Sequence, residues 1–131
     1  MNLLEVVQLP QITLAILNAR VWTGNPAQPW ATGIAVSGDR ILSVGMSAEI
    51  AKLGKVVVDG ASARMIDAKG AFVAPGSLDP AMRLIDDDTG FVVLGSLERG
   101  EPARFVMFDS DLIPGARVLM IVAGGKILFE A

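Results

Sequence analysis

Catalytic chemistry in this sequence would depend on carboxylates, hydroxyls and lysines, because the chain contains no histidine and no cysteine. Histidine is the commonest metal ligand and general base near neutral pH. Cysteine supplies disulfides, thiolate nucleophiles and thiolate metal ligands. The composition therefore excludes Ser–His and Cys–His catalysis, and it excludes metal sites built from these two residue types.

The aspartate run Asp86-Asp87-Asp88 could bind calcium through its carboxylates. Calcium loops need oxygen ligands at alternating positions and a distal bidentate carboxylate at a set spacing, and DDDTGFVVLGSLE does not have the EF-hand spacing. A polar run that ends in glycine is more typical of a solvated linker. We therefore expect a linker here and no calcium site.

Serine nucleophiles would need a lysine as their base, since no histidine is present. The serines are Ser37, Ser43, Ser47, Ser62, Ser77, Ser96 and Ser110, and the lysines are Lys52, Lys55, Lys69 and Lys126. No spacing selects one pair. Gly124-Gly125 precedes no helix that would present amide groups to a phosphate. We predict no catalytic residue and no cofactor site.

Two tryptophans, Trp22 and Trp30, flank the segment TGNPAQP. In a loop they could form a ligand-binding face. Large aromatic side chains of this kind more often close the end of a β-sandwich by packing. We favour the packing interpretation.

Overall composition describes one acidic, apolar domain of 131 residues with a net charge of −3 and a pI of about 4.8. The basic residues are scattered, so we expect no binding to nucleic acid or to an anionic membrane. MNLLEVVQLP lacks the features of a secretory signal, and no apolar run has the ~20 residues of a membrane span. A cytoplasmic location is the expectation. Hydrophobic residues make up 52%, which predicts either an unusually apolar core or an apolar surface covered by another chain.

Short apolar runs rich in β-branched residues alternate with glycine, proline, asparagine and aspartate, and this pattern predicts an all-β domain. One short helix is expected near 47–53, with Ser47 as its cap and Gly54 as its stop. The predicted strands are Ile12–Leu17, Ala19–Trp22, Gly33–Ser37, Arg40–Val44, Val56–Val58, Arg64–Asp67, Phe72–Ala74, Phe91–Leu94, Arg104–Phe108, Arg117–Val122 and Lys126–Phe129.

Two β-hairpins are predicted from glycine-containing turns between apolar arms. GIAVSGDRILSVG turns at Gly38-Asp39, and VLMIVAGGKILFEA turns at Gly124-Gly125. In the second hairpin both faces carry apolar side chains, since Leu119, Ile121, Ile127 and Phe129 alternate with Met120, Val122 and Leu128. This alternation predicts a ribbon that is buried on both sides.

Residues 14–76 carry LAILNARVWTGNPAQPWATGIAVSGDRILSVG and ARMIDAKGAFVAPG, and residues 95–130 carry GSLERGEPARFVMFDSD and RVLMIVAGGKILFEA. In this order they resemble the segments before and after the catalytic barrel of the metal-dependent amidohydrolase superfamily, most nearly its N-substituted formamide deformylase-like subgroup. The resemblance implies a two-sheet β-sandwich made by both segments. A (β/α)₈ barrel typically needs ~250 residues, and the stretch between Gly76 and Gly95 is far too short to contain one.

The resemblance also locates the family's first metal ligands, which follow its Pro-Gly pair as Asp-x-His-x-His. Here Asp79 is kept, but Ala81 and Arg83 stand at the two histidine positions. Alanine has no lone pair to offer and arginine is permanently cationic, so neither binds a divalent metal. Asp79 is then better explained as a turn residue before Pro80. Arg104 is a further departure, because the family usually has aspartate there.

These observations predict one β-sandwich domain over residues 1–131, built from 1–76 and 95–131 and joined by a linker at about 77–94. We expect a non-catalytic module with no catalytic, cofactor-binding or metal-binding residues. A second copy, or another protein, would cover the surface that faces the barrel in the family. Two alternatives remain open: a hydrolase acting on C–N bonds, by resemblance only, and a small-molecule binding module.

Overall fold

The computed structural model describes residues 11–54, 63–77, 91–111 and 115–131. These residues form an all-β sandwich of two sheets with one short helix, as the sequence predicts. The elements are β1 (Leu14–Leu17), β2 (Arg20–Trp22), β3 (Trp30–Ala31), β4 (Gly33–Ser37), β5 (Arg40–Gly45), α1 (Ser47–Gly54), β6 (Arg64–Asp67), β7 (Phe72–Ser77), β8 (Val92–Val93), β9 (Phe105–Phe108), β10 (Val118–Ala123) and β11 (Lys126–Glu130). The pattern missed β3, whose two residues are too few to alternate. The predicted strand Val56–Val58 lies outside the described residues.

The small sheet has the order β5-β4-β1-β6, and the large sheet has the order β11-β10-β9-β7-β2-β3 with β8 alongside β7. In the large sheet β7 pairs with β2 on one side and with β9 on the other. Strands from 14–77 and from 105–130 therefore share one sheet, and neither segment completes it alone.

The core lies between the two sheets. Ile16 and Ile34 of the small sheet and Val21, Phe105 and Val122 of the large sheet are completely buried there. Each sheet also has apolar side chains on its outer face. Ile50 of α1 packs on Ala15 and Ala35 outside the small sheet, and Phe91 packs edge-on against Phe108, with ring centroids 5.2 Å apart, outside the large sheet.

The chain passes from the small sheet to the large sheet twice, between β1 and β2 and between β6 and β7. The two passages lie side by side and form one corner of the sandwich. β1 runs parallel to β6 and β2 runs parallel to β7. The backbone turns with positive φ at Asn18 (57°) and at Lys69 (52°). The Asn18 side-chain amide donates to Asp67 at 3.2 Å, and the Gly70 amide donates to the Asn18 carbonyl at 2.7 Å. The corner is therefore held by hydrogen bonds between two parallel segments of the same chain.

Both predicted hairpin turns are confirmed, with Ser37 paired to Arg40 and Ala123 paired to Lys126. The prediction that the second hairpin is buried on both sides is wrong. Every second residue of its outer strand β11 is exposed, and Leu128 is 56% exposed. β11 is an edge strand, so its outward side chains have no neighbouring strand to cover them.

The role predicted for Ser47 is also wrong, although the helix itself is confirmed at Ser47–Gly54. The first amides of α1, from Glu49 and Ile50, donate to the Met46 carbonyl. The Ser47 hydroxyl instead accepts the Asn18 N–H and donates to the Thr32 carbonyl at 3.0 Å. These bonds fix the start of α1 to the bends at Asn18 and Thr32, which adjoin the strands of the small sheet.

Within the part of the chain that the structure describes, no helix has the length and apolar character needed to cross a membrane.

Candidate functional site

A cavity of about 590 Å³ opens beside β5, one of the two edge strands of the small sheet. Its walls come from β5, from the end of α1, from the loop between β2 and β3, and from the segment before β9. The lining residues are Ile12, Asn25, Gln28, Leu42, Ser43, Val44, Leu53, Leu97, Glu98 and Arg99. We call it the β5 cavity. Together with the segment before β1, which contributes Ile12, five separate segments meet there.

The loop 23–28 that forms one wall is held by Thr23, a polar residue that is only 1% exposed. The Thr23 hydroxyl donates to the Gln28 carbonyl and accepts the Asn25 amide at 3.0 Å. The Asn25 carboxamide oxygen in turn accepts the Ala27 amide at 3.0 Å, an Asx turn. These bonds are local, so the loop is ordered before any ligand arrives.

Two contacts attach this loop to the rest of the cavity. The Gln28 side-chain amide donates to the Val44 carbonyl at 3.1 Å, which ties the loop to the edge of β5. The Leu97 amide donates to the Thr23 carbonyl at 2.7 Å, which ties it to the segment before β9. Leu97 itself is 1% exposed and belongs to the main core.

The charged side chains at the rim are Glu98 and Arg99, both exposed. The Glu98 carboxylate accepts the Ser96 hydroxyl. Ion pairs among the described residues are made by Arg20, Arg40 and Arg64, and Arg99 is in none of them. The β5 cavity thus combines an aliphatic floor with two carboxamides (Asn25 and Gln28), the Ser43 hydroxyl, the Glu98 carboxylate and the unpaired Arg99 guanidinium.

A second cavity of about 590 Å³ lies over the corner, between Asp67–Ala71 and the end of β11. Asp67 faces it, and the Lys69 backbone N–H and the Asn18 side-chain amide lower the pKa of this carboxyl from its ordinary value of 3.8. These two donors belong to the residues that form the corner. The Asp67 carboxylate therefore has a structural role, which is to hold the corner through these hydrogen bonds.

Several residues singled out in the sequence lie outside the described residues. These are Lys55, Ser62, Asp79, Ala81, Arg83 and the run Asp86–Asp88. Across 11–54, 63–77, 91–111 and 115–131, no three acidic side chains come together to hold a metal ion. The Ser47 and Ser96 hydroxyls bond to other partners than lysine. The absence of a site over the whole chain stays a prediction.

The two tryptophans do not line the β5 cavity. Trp22 and Trp30 pair across β2 and β3. Trp30 is half exposed, tilts against Phe72 with ring centroids 6.4 Å apart, and stacks under the Arg20 guanidinium at 5.9 Å. They belong to paired strands of the large sheet, and two of the residues between them, Asn25 and Gln28, line the β5 cavity.

Arg104 lies just before β9, next to the end of β7. Its carbonyl accepts the Gly76 amide at 3.2 Å. Its side-chain Nε is buried and has no hydrogen-bond partner among the described residues.

Sequence reasoning missed Asn25, Gln28, Leu97 and Arg99 as cavity residues. The loop TGNPAQP gave one usable signal, because asparagine before proline and threonine near the turn favour a compact, self-bonded loop. Nothing in the sequence shows that residue 99 lies near residue 25. That proximity comes from the pairing of β7 with β9.

No protein-family model matches this chain, and the search of curated proteins finds no match. Solved structures give partial matches. A metal-dependent hydrolase from Pyrococcus furiosus is 28% identical over 50% of this chain and 13% of its own, with a TM-score of 0.40. Enamidase, described as a member of the amidohydrolase superfamily, is 29% identical over 50% of this chain and 16% of its own, with a TM-score of 0.36.

A protein from Bacillus thuringiensis is 23% identical over 56% of this chain and 90% of its own, with a TM-score of 0.43. The matched part thus spans only a small fraction of the Pyrococcus hydrolase and of enamidase. About half of this chain is similar to a small part of a metal-dependent hydrolase and of one member of the amidohydrolase superfamily, in agreement with the resemblance expected from the sequence.

Proposed function

We propose that this chain is a non-catalytic β-sandwich domain of the amidohydrolase type, built from both segments, that acts as a structural or protein-interaction module. The observation that carries the proposal is the junction between the segments. The last residues of β7 pair directly with β8, Gly76 with Val93 and Ser77 with Val92. Only residues 78–91 separate Ser77 from Val92, whereas a (β/α)₈ barrel typically needs ~250 residues.

The junction is closely packed around Gly76. The backbone there has a φ of +153°, and a Cβ at this position would overlap the Val92 carbonyl oxygen and the Phe91 ring. At the same place β7 pairs with β9, Pro75 lying opposite Phe105. The chain therefore leaves the large sheet and returns to it at one point, with β8 lying against the strand it has just left.

The chemistry of the resembled hydrolases needs a metal ion held by several side chains, which activates a water to attack a carbonyl. Ala81 and Arg83 stand at the positions of the first two histidines, and the chain contains no histidine elsewhere. The carboxylates of the described residues are dispersed. These facts support a role that does not include C–N bond hydrolysis.

The proposed partner is a second copy of the chain, bound through the junction. Val92 and Val93 are about half exposed (53% and 51%), and they lie on a strand whose pairing among the described residues is with β7 alone. An apolar edge strand of this kind is open to pairing with another chain. Another protein on this surface is the competing outcome.

Native mass spectrometry of the full chain at micromolar concentration, supported by light scattering after gel filtration, tests the proposal. We expect a homo-oligomer and no stoichiometric metal after incubation with zinc, manganese or iron. Val93→Lys should shift the mass to the monomer. Leu128→Lys is the matched control, because Leu128 is as exposed on the other edge strand, β11.

A monomer at every concentration, or an oligomer insensitive to Val93→Lys, would contradict self-association through the junction. If the protein is a monomer that binds one other protein, the role as an interaction module holds, but the partner is that protein and not a second copy. Tight stoichiometric metal binding together with hydrolysis of an amide or a cyclic amide would overturn the non-catalytic role.

A further inference from the structure

We infer that the β5 cavity binds a small amphipathic anion, a monocarboxylate with an aliphatic tail. The inference does not depend on the proposed module function, since a binding domain can be monomeric or oligomeric. It depends on three features of the cavity: the aliphatic side chains of its floor, the charges at its rim and the rigidity of its walls.

The floor is aliphatic and contains no aromatic ring. Its apolar members are Ile12, Leu42, Val44, Leu53 and Leu97. Ile12 and Leu97 are buried, whereas Leu53 is 39% exposed, an unusual position for a leucine that faces a concave surface. A volume of about 590 Å³ lies in the range of small-molecule sites. A flexible hydrocarbon chain fits such a floor, and its affinity increases with each methylene that is buried.

The rim provides one cation that the described residues leave unpaired, Arg99. A guanidinium binds a carboxylate through two parallel N–H bonds. The same cavity is lined by Ser43, which has a hydroxyl, and by Asn25, whose side-chain oxygen accepts the Ala27 N–H and whose NH₂ is a further donor. These donors favour an acceptor head group.

Two features of negative potential also border the cavity, and they limit the negative charge that a bound anion can carry. The Glu98 carboxylate accepts the Ser96 hydroxyl, and α1 ends near Leu53 with its carbonyl end toward this side. The field of a helix end is weak for a surface helix of two turns. With Glu98 and Arg99 both charged, a bound monocarboxylate leaves the rim with a net charge of about −1, whereas a phosphate group of charge near −2 would leave it at about −2 without a second cation.

The walls of the cavity are ordered without a ligand. The Thr23 hydroxyl makes two hydrogen bonds within the loop 23–28, the Gln28 side chain bonds to the Val44 carbonyl, and the Thr23 carbonyl accepts the Leu97 amide. A site that is already ordered loses less entropy when a ligand binds. The donors Asn25 and Ser43 lie on these fixed elements, so they need no rearrangement to meet a head group.

The test titrates the full chain with three ligands that share one tail: octanoate, octanol and octylammonium. Amide chemical shifts give the affinity and the location together. We expect saturable octanoate binding with shifts at 25–28, 42–44 and 97–99. Octanol should bind about tenfold more weakly, because a hydrogen bond to a charged group contributes about 1.5–3 kcal/mol. Octylammonium should bind more weakly still.

Arg99→Gln should reduce octanoate affinity about tenfold and leave octanol affinity unchanged. The matched control is Arg117→Gln, because Arg117 is an exposed arginine that lines neither cavity and removes the same charge. Val44→Thr, which keeps the volume but adds a hydroxyl to the floor, should weaken octanoate and octanol alike.

Absence of saturable octanoate binding would overturn the inference. So would equal or tighter binding of octylammonium, equal losses in Arg99→Gln and Arg117→Gln, or shifts confined to the corner cavity at Asp67–Ala71. None of these outcomes bears on oligomeric state, so they remain separate from the test of the module.

Discussion

The two hairpins of this molecule begin from nearly the same local sequence and end in different environments. Both turn on two residues, and both continue with a basic residue, isoleucine and leucine: Arg40-Ile41-Leu42 and Lys126-Ile127-Leu128. In both the register shifts at the leucine, which is the extra residue of a β-bulge. Leu42 then packs with the cluster under α1, whereas Leu128 is 56% exposed. Equal local patterns therefore give equal backbones but unequal burial.

The bulge in β11 also explains why simple alternation fails there. Ile127 lies opposite Val122 and packs on the main core, while Phe129 lies opposite Ile121 and packs on the outer face. In a regular strand residues 127 and 129 would share a face. The extra residue Leu128 shifts the phase by one, so the two apolar side chains reach both faces of the sheet.

The largest expected effect comes from the place where the two hairpin turns touch. A Cβ on Gly125 would overlap the Gly38 carbonyl oxygen, whereas a Cβ on Gly124 would meet nothing within 4 Å. Both glycines have positive φ (75° and 58°), so alanine strains the backbone at either position. Gly125→Ala should lower the free energy of unfolding by about 2–3 kcal/mol more than Gly124→Ala, because it adds an overpacking cost. Urea denaturation measures both, and equal losses would show that the turns do not touch.

The bulge leucines give the next effect and test the comparison most directly. Leu42→Ala should lower the free energy of unfolding by about 1–2 kcal/mol, since a half-buried leucine loses part of its transfer free energy. Leu128→Ala should change it by less than about 0.5 kcal/mol, as exposed positions usually do. Thermal unfolding of the pair is the measurement. If Leu128→Ala destabilised as much as Leu42→Ala, a further surface would have to cover β11.

A smaller effect is expected from the ion pair that joins the second hairpin to the small sheet. Arg64 of β6 bonds both carboxylate oxygens of Glu130 in β11, at 2.6 and 2.8 Å. Both side chains are about half exposed, so solvent screening limits the pair. A double-mutant cycle with Arg64→Gln and Glu130→Gln should give a coupling of about 0.5 kcal/mol that decreases in high salt. A coupling that stays constant in 1 M salt would contradict a screened ion pair.

The smallest effect is the pH dependence carried by Asp67 at the other end of β6. Its folded-state pKa is lower than the ordinary value of 3.8, chiefly because the Lys69 backbone N–H and the Asn18 amide donate to the carboxylate. The stabilisation is therefore present above about pH 3.8, and it is lost as the pH falls through the lowered folded pKa. Asp67→Asn should flatten the fall in stability over this acid range. An unchanged pH profile in the variant would show that other carboxylates cause it.

Several of the residues that carry the family resemblance have a structural role in the fold. Asn18 and Asp67 to Gly70 form the corner that moves the chain between sheets, and Gly24 lies close to Gly95, where the second segment begins. Such residues can be recognised in a sequence because a positive φ or a side-chain-to-backbone bond restricts the residue type. The β5 cavity has no comparable signal, since it is lined mainly by ordinary aliphatic residues.

The sequence by itself determined the β class, the two turns, the short helix and the lack of histidine and cysteine chemistry. These follow from local sterics and composition, which act over a few residues. Only the tertiary structure decided that β11 is an edge strand, that Ser47 bonds to Asn18 and Thr32, and that Arg99 stands near Asn25 and Leu42. These features arise from the pairing of strands far apart in the chain, and burial depends on what lies across the sheet as well as on the residue itself.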